Sequence, residues 1–74
     1  MNLLIKLRPN TNTVWFQERL LKVKPSLSGC GIIYEFSADD KYISVYVSID
    51  DNDARSFAND IKLISPQVLS VSRA

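Results

Sequence analysis

The stretch LSGCGIIYEF, from Leu27 to Phe36, holds the single cysteine of the chain between its only two glycines. A nucleophilic cysteine needs a neighbouring base, and metal or redox sites need further cysteines or histidines. The chain has no histidine and no second cysteine. We therefore interpret Cys30 as a small apolar side chain at the start of a strand, and Gly29 and Gly31 as residues that permit a positive φ or a close approach. The sequence predicts no catalytic residue, metal site or cofactor.

The acidic run DDND at residues 50–53 is the second candidate for chemistry. Counted from Asp50, a calcium loop requires glycine at its sixth position and glutamate at its twelfth, where this chain has Arg55 and Ile61. Carboxylates in the first turn of a helix are favoured by its free amides and by the helix dipole. We interpret the run as the capped start of a helix. Paired carboxylates for hydrolysis would also need a pocket, which a small sandwich of two helices on a sheet rarely provides, so we predict that the chain is not an enzyme.

Length and composition predict one folded domain over residues 1–74. The chain is 46% hydrophobic and 23% charged, with a net charge of +1, so no strong field attracts it to nucleic acid or to a membrane. One cysteine cannot form an internal disulfide, which favours a reducing compartment and predicts a cytoplasmic protein. The apolar run before Lys6 is too short for a signal peptide or a membrane span.

Hydrophobic periodicity and turn residues divide the chain into six elements. Phe16, Leu20, Val23 and Leu27 recur at helical spacing, whereas Ile43, Val45, Val47 and Ile49 alternate with polar or tyrosine residues as in a strand. The predicted elements are a strand at 2–8, a helix at 13–24, a hairpin of IIYEF and YISVYVSI, a helix from the acidic run to just before Pro66, and a strand in VLSVS.

The order β-α-β-β-α-β is typical of a ferredoxin-like α+β sandwich, in which a four-stranded antiparallel sheet carries two helices on one face. The helix-covered face is predicted to take Leu3, Ile5, Leu7, Ile43, Val45, Val47, Ile49, Leu69 and Val71. The other face of the sheet is then left without a covering layer.

That uncovered face is the predicted binding surface. Lys6 and Arg8 on strand one are expected beside Tyr42 and Tyr46 on strand three, with Ile33, Glu35 and the serines 44, 48, 70 and 72 around them. Tyrosine is a favoured anchor at protein interfaces, so we predict a protein partner or self-association as a dimer, and a regulatory binding role. Trp15, at the edge of the apolar stripe of helix one, is predicted either to cover the core or to contact a partner.

The same topology, with Tyr42 and Tyr46 on a central strand, resembles RNA-recognition modules, which stack bases on aromatic residues at such positions. The resemblance implies single-stranded nucleic acid as an alternative ligand of this face.

The opening LIKLRPNT, the element order and the ending SPQVLSVSRA resemble subtilase propeptides and the free-standing proteinase inhibitors related to them. In that family the last strand leads a C-terminal tail into the cleft of the enzyme. The resemblance implies a serine protease inhibitor whose inhibitory tail is Val71, Ser72, Arg73 and Ala74.

Overall fold

A computed structural model of the chain describes residues 1–25, 27 and 31–74. Cys30 and Gly29 therefore lie outside the described residues. The elements are β1 (Asn2–Leu7), α1 (Thr13–Val23), β2 (Ile33–Phe36), β3 (Ile43–Ser48), α2 (Asp51–Ile64) and β4 (Val68–Arg73). The predicted order is confirmed, and the fold is ferredoxin-like α+β.

The four strands form one antiparallel sheet in the order β2-β3-β1-β4. Ile5 in β1 lies opposite Val45 in β3 on one side and opposite Val71 in β4 on the other. The two central strands are therefore β1 and β3, while β2 and β4 form the edges.

One face of this sheet packs against the helices to form the core. Alternate residues of β1 and β3 are buried on that face because neighbouring side chains of a strand point to opposite sides. Helix α1 contributes its apolar stripe, and α2 contributes Ala54, Phe57 and Ile61. The buried core consists of Leu3, Ile5, Leu7, Phe16, Leu20, Leu27, Ile43, Val45, Val47, Ile49, Ala54, Phe57 and Ile61.

Helix α1 starts where the sequence offers capping side chains. Asn12 has extended backbone angles, and its Oδ1 accepts hydrogen bonds from the backbone N–H groups of Val14 and Trp15 at 3.0 and 3.1 Å. These bonds satisfy two of the amides that the first turn leaves free. Within the described residues, neither helix is long and apolar enough to cross a membrane.

The β2–β3 hairpin depends on one residue in the left-handed region. Asp40 has φ of 54°, which aspartate tolerates better than most residues. Ser37 stabilises the turn, since its Oγ accepts hydrogen bonds from the backbone N–H groups of Lys41 and Tyr42 at 3.0 and 3.2 Å. The turn sets the register that places Tyr42 and Tyr46 on the face away from the helices.

The predicted inward position of Leu69 is wrong. The register between β1 and β4 shifts between Lys6 and Leu7, so that Lys6 lies opposite Ser70 but Leu7 lies opposite Val68. This irregularity leaves Leu69 without a partner in the ladder and 50% exposed. Val68 takes the core-facing place that the alternating pattern assigned to Leu69.

The interpretation of Gly31 is also wrong. Among the described residues no glycine has a positive φ, and a Cβ at Gly31 would meet no atom within 4 Å. Neither backbone angle nor crowding therefore requires a glycine at this position.

The acidic run starts α2 as predicted, but its carboxylates act differently. Asp50 is the N-cap residue and makes no side-chain capping hydrogen bond within the described chain. Asp53 instead accepts from Lys24 Nζ at 2.9 Å, which ties the start of α2 to the end of α1. Asp51 lies 3.2 Å from the amino group of Met1. The carboxylates of the run therefore connect α2 to Met1 and to Lys24, and they also interact favourably with the dipole of α2.

Candidate functional site

The sheet face opposite the helices carries two rows of side chains that cross all four strands. One row is Ile33, Tyr46, Leu4 and Ser72, and the next is Glu35, Ser44, Lys6 and Ser70. We call these residues, together with Tyr42 and Ser48, the open face. The first row is mainly apolar, whereas the second places an acidic residue and a basic residue on either side of a serine.

Lys6 and Tyr42 form the first contact within the open face. The Lys6 Nζ lies over the Tyr42 ring, 4.6 Å from its centroid, which is the geometry of a cation–π interaction. Ser44, next to both in the sheet, is buried. The lysine side chain therefore lies along the sheet and occupies one side of the tyrosine ring.

Tyr46 and Glu35 form the second contact. The Tyr46 hydroxyl donates to Glu35 Oε2 at 3.2 Å, between the neighbouring strands β3 and β2. Partial burial raises the pKa of Tyr46, and the negative charge of Glu35 raises it further because it opposes the tyrosinate.

We expect Glu35→Gln to lower the Tyr46 pKa, because the substitution removes the neighbouring charge but leaves the burial in place. Tyr34→Phe and Tyr42→Phe together make Tyr46 the only tyrosine, so that the ultraviolet absorbance of tyrosinate against pH reports on this residue alone. Glu18→Gln, an equal charge change on the exposed side of α1, is the control and should leave the midpoint in place. An unchanged midpoint in Glu35→Gln would show that the carboxylate does not act on Tyr46.

Leu4 is a member of the open face that the sequence reasoning missed. It is partly buried and lies between Tyr46 and Ser72 at the centre of the sheet. Strict alternation would have found it, because Leu4 shares its parity with Lys6.

A depression of about 270 Å³ adjoins this apolar row at one end of the sheet. Ile33, Tyr46 and Ser48 form part of its lining, together with Gly31 and Val47. Asn2 and Ala74 complete the lining. The depression can accept a single apolar side chain of a ligand beside the Tyr46 ring.

Two predicted site residues lie elsewhere. Arg8 follows the end of β1, and its Nε donates to the Pro66 carbonyl at 3.3 Å, which turns its side chain towards the connection between α2 and β4. Trp15 is half-buried on α1, packs against the core and has the Arg19 guanidinium 5.4 Å from its ring centroid. Since the helices cover the opposite side of the sheet, Trp15 is not part of the open face.

The residues of the predicted inhibitory tail belong mostly to β4. Val71, Ser72 and Arg73 lie opposite Ile5, Leu4 and Leu3 in the ladder. The Ala74 amide donates to the Asn2 carbonyl at 2.9 Å. These residues are held in the sheet by backbone hydrogen bonds.

No group of three or more potential metal ligands occurs in the part of the chain that the structure describes. Comparison of the chain with protein-family models, curated proteins and solved structures finds no match. The resemblance to subtilase propeptides therefore stays a prediction, and the site is judged on its own geometry.

Proposed function

We propose that this protein is a non-enzymatic binding module that holds a protein partner against its open face. The observation that carries the proposal is the apolar row of Ile33, Tyr46 and Leu4 on the sheet face that neither of the two described helices covers. Ile33 is 60% exposed, although large aliphatic side chains are usually buried. A partner that covers this row removes apolar surface from water.

Tyr46 is suited to be the anchor of this surface. A tyrosine ring provides a large contact area with few rotatable bonds, and its hydroxyl provides a polar group for the rim of an interface. Here the ring lies beside the depression lined by Ile33 and Ser48. An apolar side chain from the partner would fill the depression and pack against the ring.

The charges of the open face also favour a protein over a nucleic acid. Lys6 and Glu35 place a positive and a negative charge on the open face, with Ser44 between them. A protein partner can present the opposite charges at the matching positions. Nucleic acid presents negative phosphates throughout, and the Glu35 carboxylate beside Tyr46 repels them. The Lys6 ammonium occupies one face of the Tyr42 ring, so that face is not available for a stacked base.

The inhibitor alternative gains no support from the position of its tail. Val71, Ser72 and Arg73 are paired with β1, so insertion of these residues into a protease cleft would require them to leave the sheet. That step breaks backbone hydrogen bonds and uncovers Leu3 and Ile5.

Photo-crosslinking in the cells that naturally produce this protein tests the proposal. A photoreactive phenylalanine analogue at Ser48, which is exposed on the open face, should form a crosslinked product whose mass is unchanged by nuclease treatment. The same analogue at Glu18, on the exposed side of α1, is the matched control and should not give that product. A product of twice the protein's mass would identify a second copy as the partner. A nuclease-sensitive product, or the same product from both positions, would contradict the proposal.

A direct binding assay tests the alternative that the open face binds single-stranded nucleic acid. We expect no measurable binding to mixed-sequence single-stranded RNA or DNA at physiological salt. Phosphate contacts release counterions, so a true nucleic-acid site would lose affinity with a log–log slope of roughly −0.7 per neutralised phosphate. Tight binding with such a slope that disappears in Lys6→Glu would overturn the protein assignment.

A further inference from the structure

A second surface lies on the opposite side of the sheet, in the groove between α2 and the edge strand β4. The groove has a volume of about 420 Å³. Its apolar lining comes from both layers and from the first residue of the chain, and consists of Met1, Leu3, Ala54, Ala58 and Val71. The alanines of α2 leave this space because they are too small to fill the distance between helix and strand.

Two arginines give the groove its charge. Arg55 projects from α2 and Arg73 from β4, and both line the groove together with Asp51. The Asp51 carboxylate lies 3.2 Å from the Met1 amino group. Among the described residues neither arginine forms an ion pair. The groove therefore carries an excess of positive charge that fits a carboxylate.

The wall of the groove is a strand edge with free backbone groups. Among the described strands, β4 pairs with β1 alone, because it lies at the edge of the sheet. The Ala74 amide donates to the Asn2 carbonyl, and residues of an antiparallel ladder alternate between the two sides. Ser72 and Ser70 therefore bond to β1, while Val71 and Arg73 direct their N–H and C=O groups outward.

We propose that this edge binds an extended acidic segment of a protein, which adds to β4 as a fifth, antiparallel strand and places a carboxylate between Arg55 and Arg73. Backbone hydrogen bonds to Val71 and Arg73 supply the pairing, and the groove supplies the specificity. Residues opposite Val71 and Arg73 face the groove, and successive residues on one face of a strand are two positions apart. The preferred motif is an acidic residue followed two positions later by an apolar residue. This surface is distinct from the open face and extends the proposed function to a second contact.

The probe is a fluorescein-labelled eight-residue peptide with glutamate two positions before valine and threonine elsewhere. We expect fluorescence anisotropy to show binding that weakens at least tenfold when glutamine replaces the glutamate. Arg55→Glu should weaken binding of the glutamate peptide by a similar factor and should abolish the difference between the two peptides. Arg19→Glu, an equal charge change on α1, is the matched control and should bind as the unaltered protein does. If Arg55→Glu does not fold, as judged by circular dichroism, Arg55→Gln replaces it with the same expected direction.

Amide hydrogen exchange distinguishes strand addition from a contact of side chains alone. The outward amide of Val71 should exchange at least tenfold more slowly in the presence of the peptide, whereas a peptide with N-methyl groups on its edge-facing amides should neither bind nor slow it. Tyr46→Ala should leave peptide binding unchanged, so failure of this proposal and failure of the open-face assignment are separate results. Absence of binding at millimolar peptide, equal binding by Arg55→Glu and its control, or an unchanged Val71 exchange rate would each overturn the proposal.

Discussion

Phe16→Ala is expected to lower the free energy of unfolding by about 3–5 kcal/mol. Phe16 is fully buried where α1 faces the sheet, so the substitution leaves a cavity among Ile5, Leu20 and the other core residues. Domains have roughly 0.05–0.15 kcal/mol of stability per residue, or about 4–11 kcal/mol for a chain of 74 residues. The variant should therefore lose a large share of its stability, and it should unfold if the stability of the protein lies at the lower end of that range.

Urea unfolding followed by circular dichroism measures the effect of Phe16→Ala. Val14→Ala on the same helix is the control, because Val14 is 69% exposed and its truncation should change stability by no more than about 0.5 kcal/mol. Equal urea midpoints for the two variants would show that α1 does not pack on the sheet as described.

Tyr46→Ala is expected to weaken binding of the protein partner by about 30-fold or more, the effect of losing an interface anchor worth at least ~2 kcal/mol. The fold should be retained, since Tyr46 lies on the face of the sheet away from the core. Tyr46→Phe keeps the ring and removes only the hydrogen bond to Glu35, so its effect should be much smaller.

Isothermal titration calorimetry with the partner identified by crosslinking provides these affinities. Leu63→Ala is the surface control, because Leu63 is 85% exposed on α2 and belongs to neither proposed surface. Equal affinities of Tyr46→Ala and Leu63→Ala would remove Tyr46 from the interface.

The sequence was most informative where one face of a strand is buried and the other is not. Ile43, Val45 and Val47 alternate with Ser44 and Tyr46, and the structure buries the first three in the core. A shift of one residue would exchange the two faces, so the pattern determines which side Tyr42 and Tyr46 occupy. The same alternation failed for Leu69, because the irregularity opposite Lys6 and Leu7 changes the parity within β4.

Contacts between residues that are distant in the sequence could not be predicted from the local sequence pattern. Arg8 was assigned to the open face by alternation, but its side chain donates to Pro66, which lies near it only after β4 pairs with β1. Asp53 was assigned to helix capping, but it accepts from Lys24, which directly follows the other helix. Neither partner could be found without the arrangement of the helices on the sheet.

Methyl NMR of the protein with its partner tests the central claim, that the open face is the binding surface, most directly. The methyl resonances of Leu4 and Ile33 should shift on binding and lose their contact with water, because both residues lie in the row that contains Tyr46. The methyl resonances of Val14 on α1 and Leu63 on α2 should stay in place, since both residues are exposed on the opposite layer. Shifts confined to Val14 and Leu63, with Leu4 and Ile33 unchanged, would contradict the assignment of the open face.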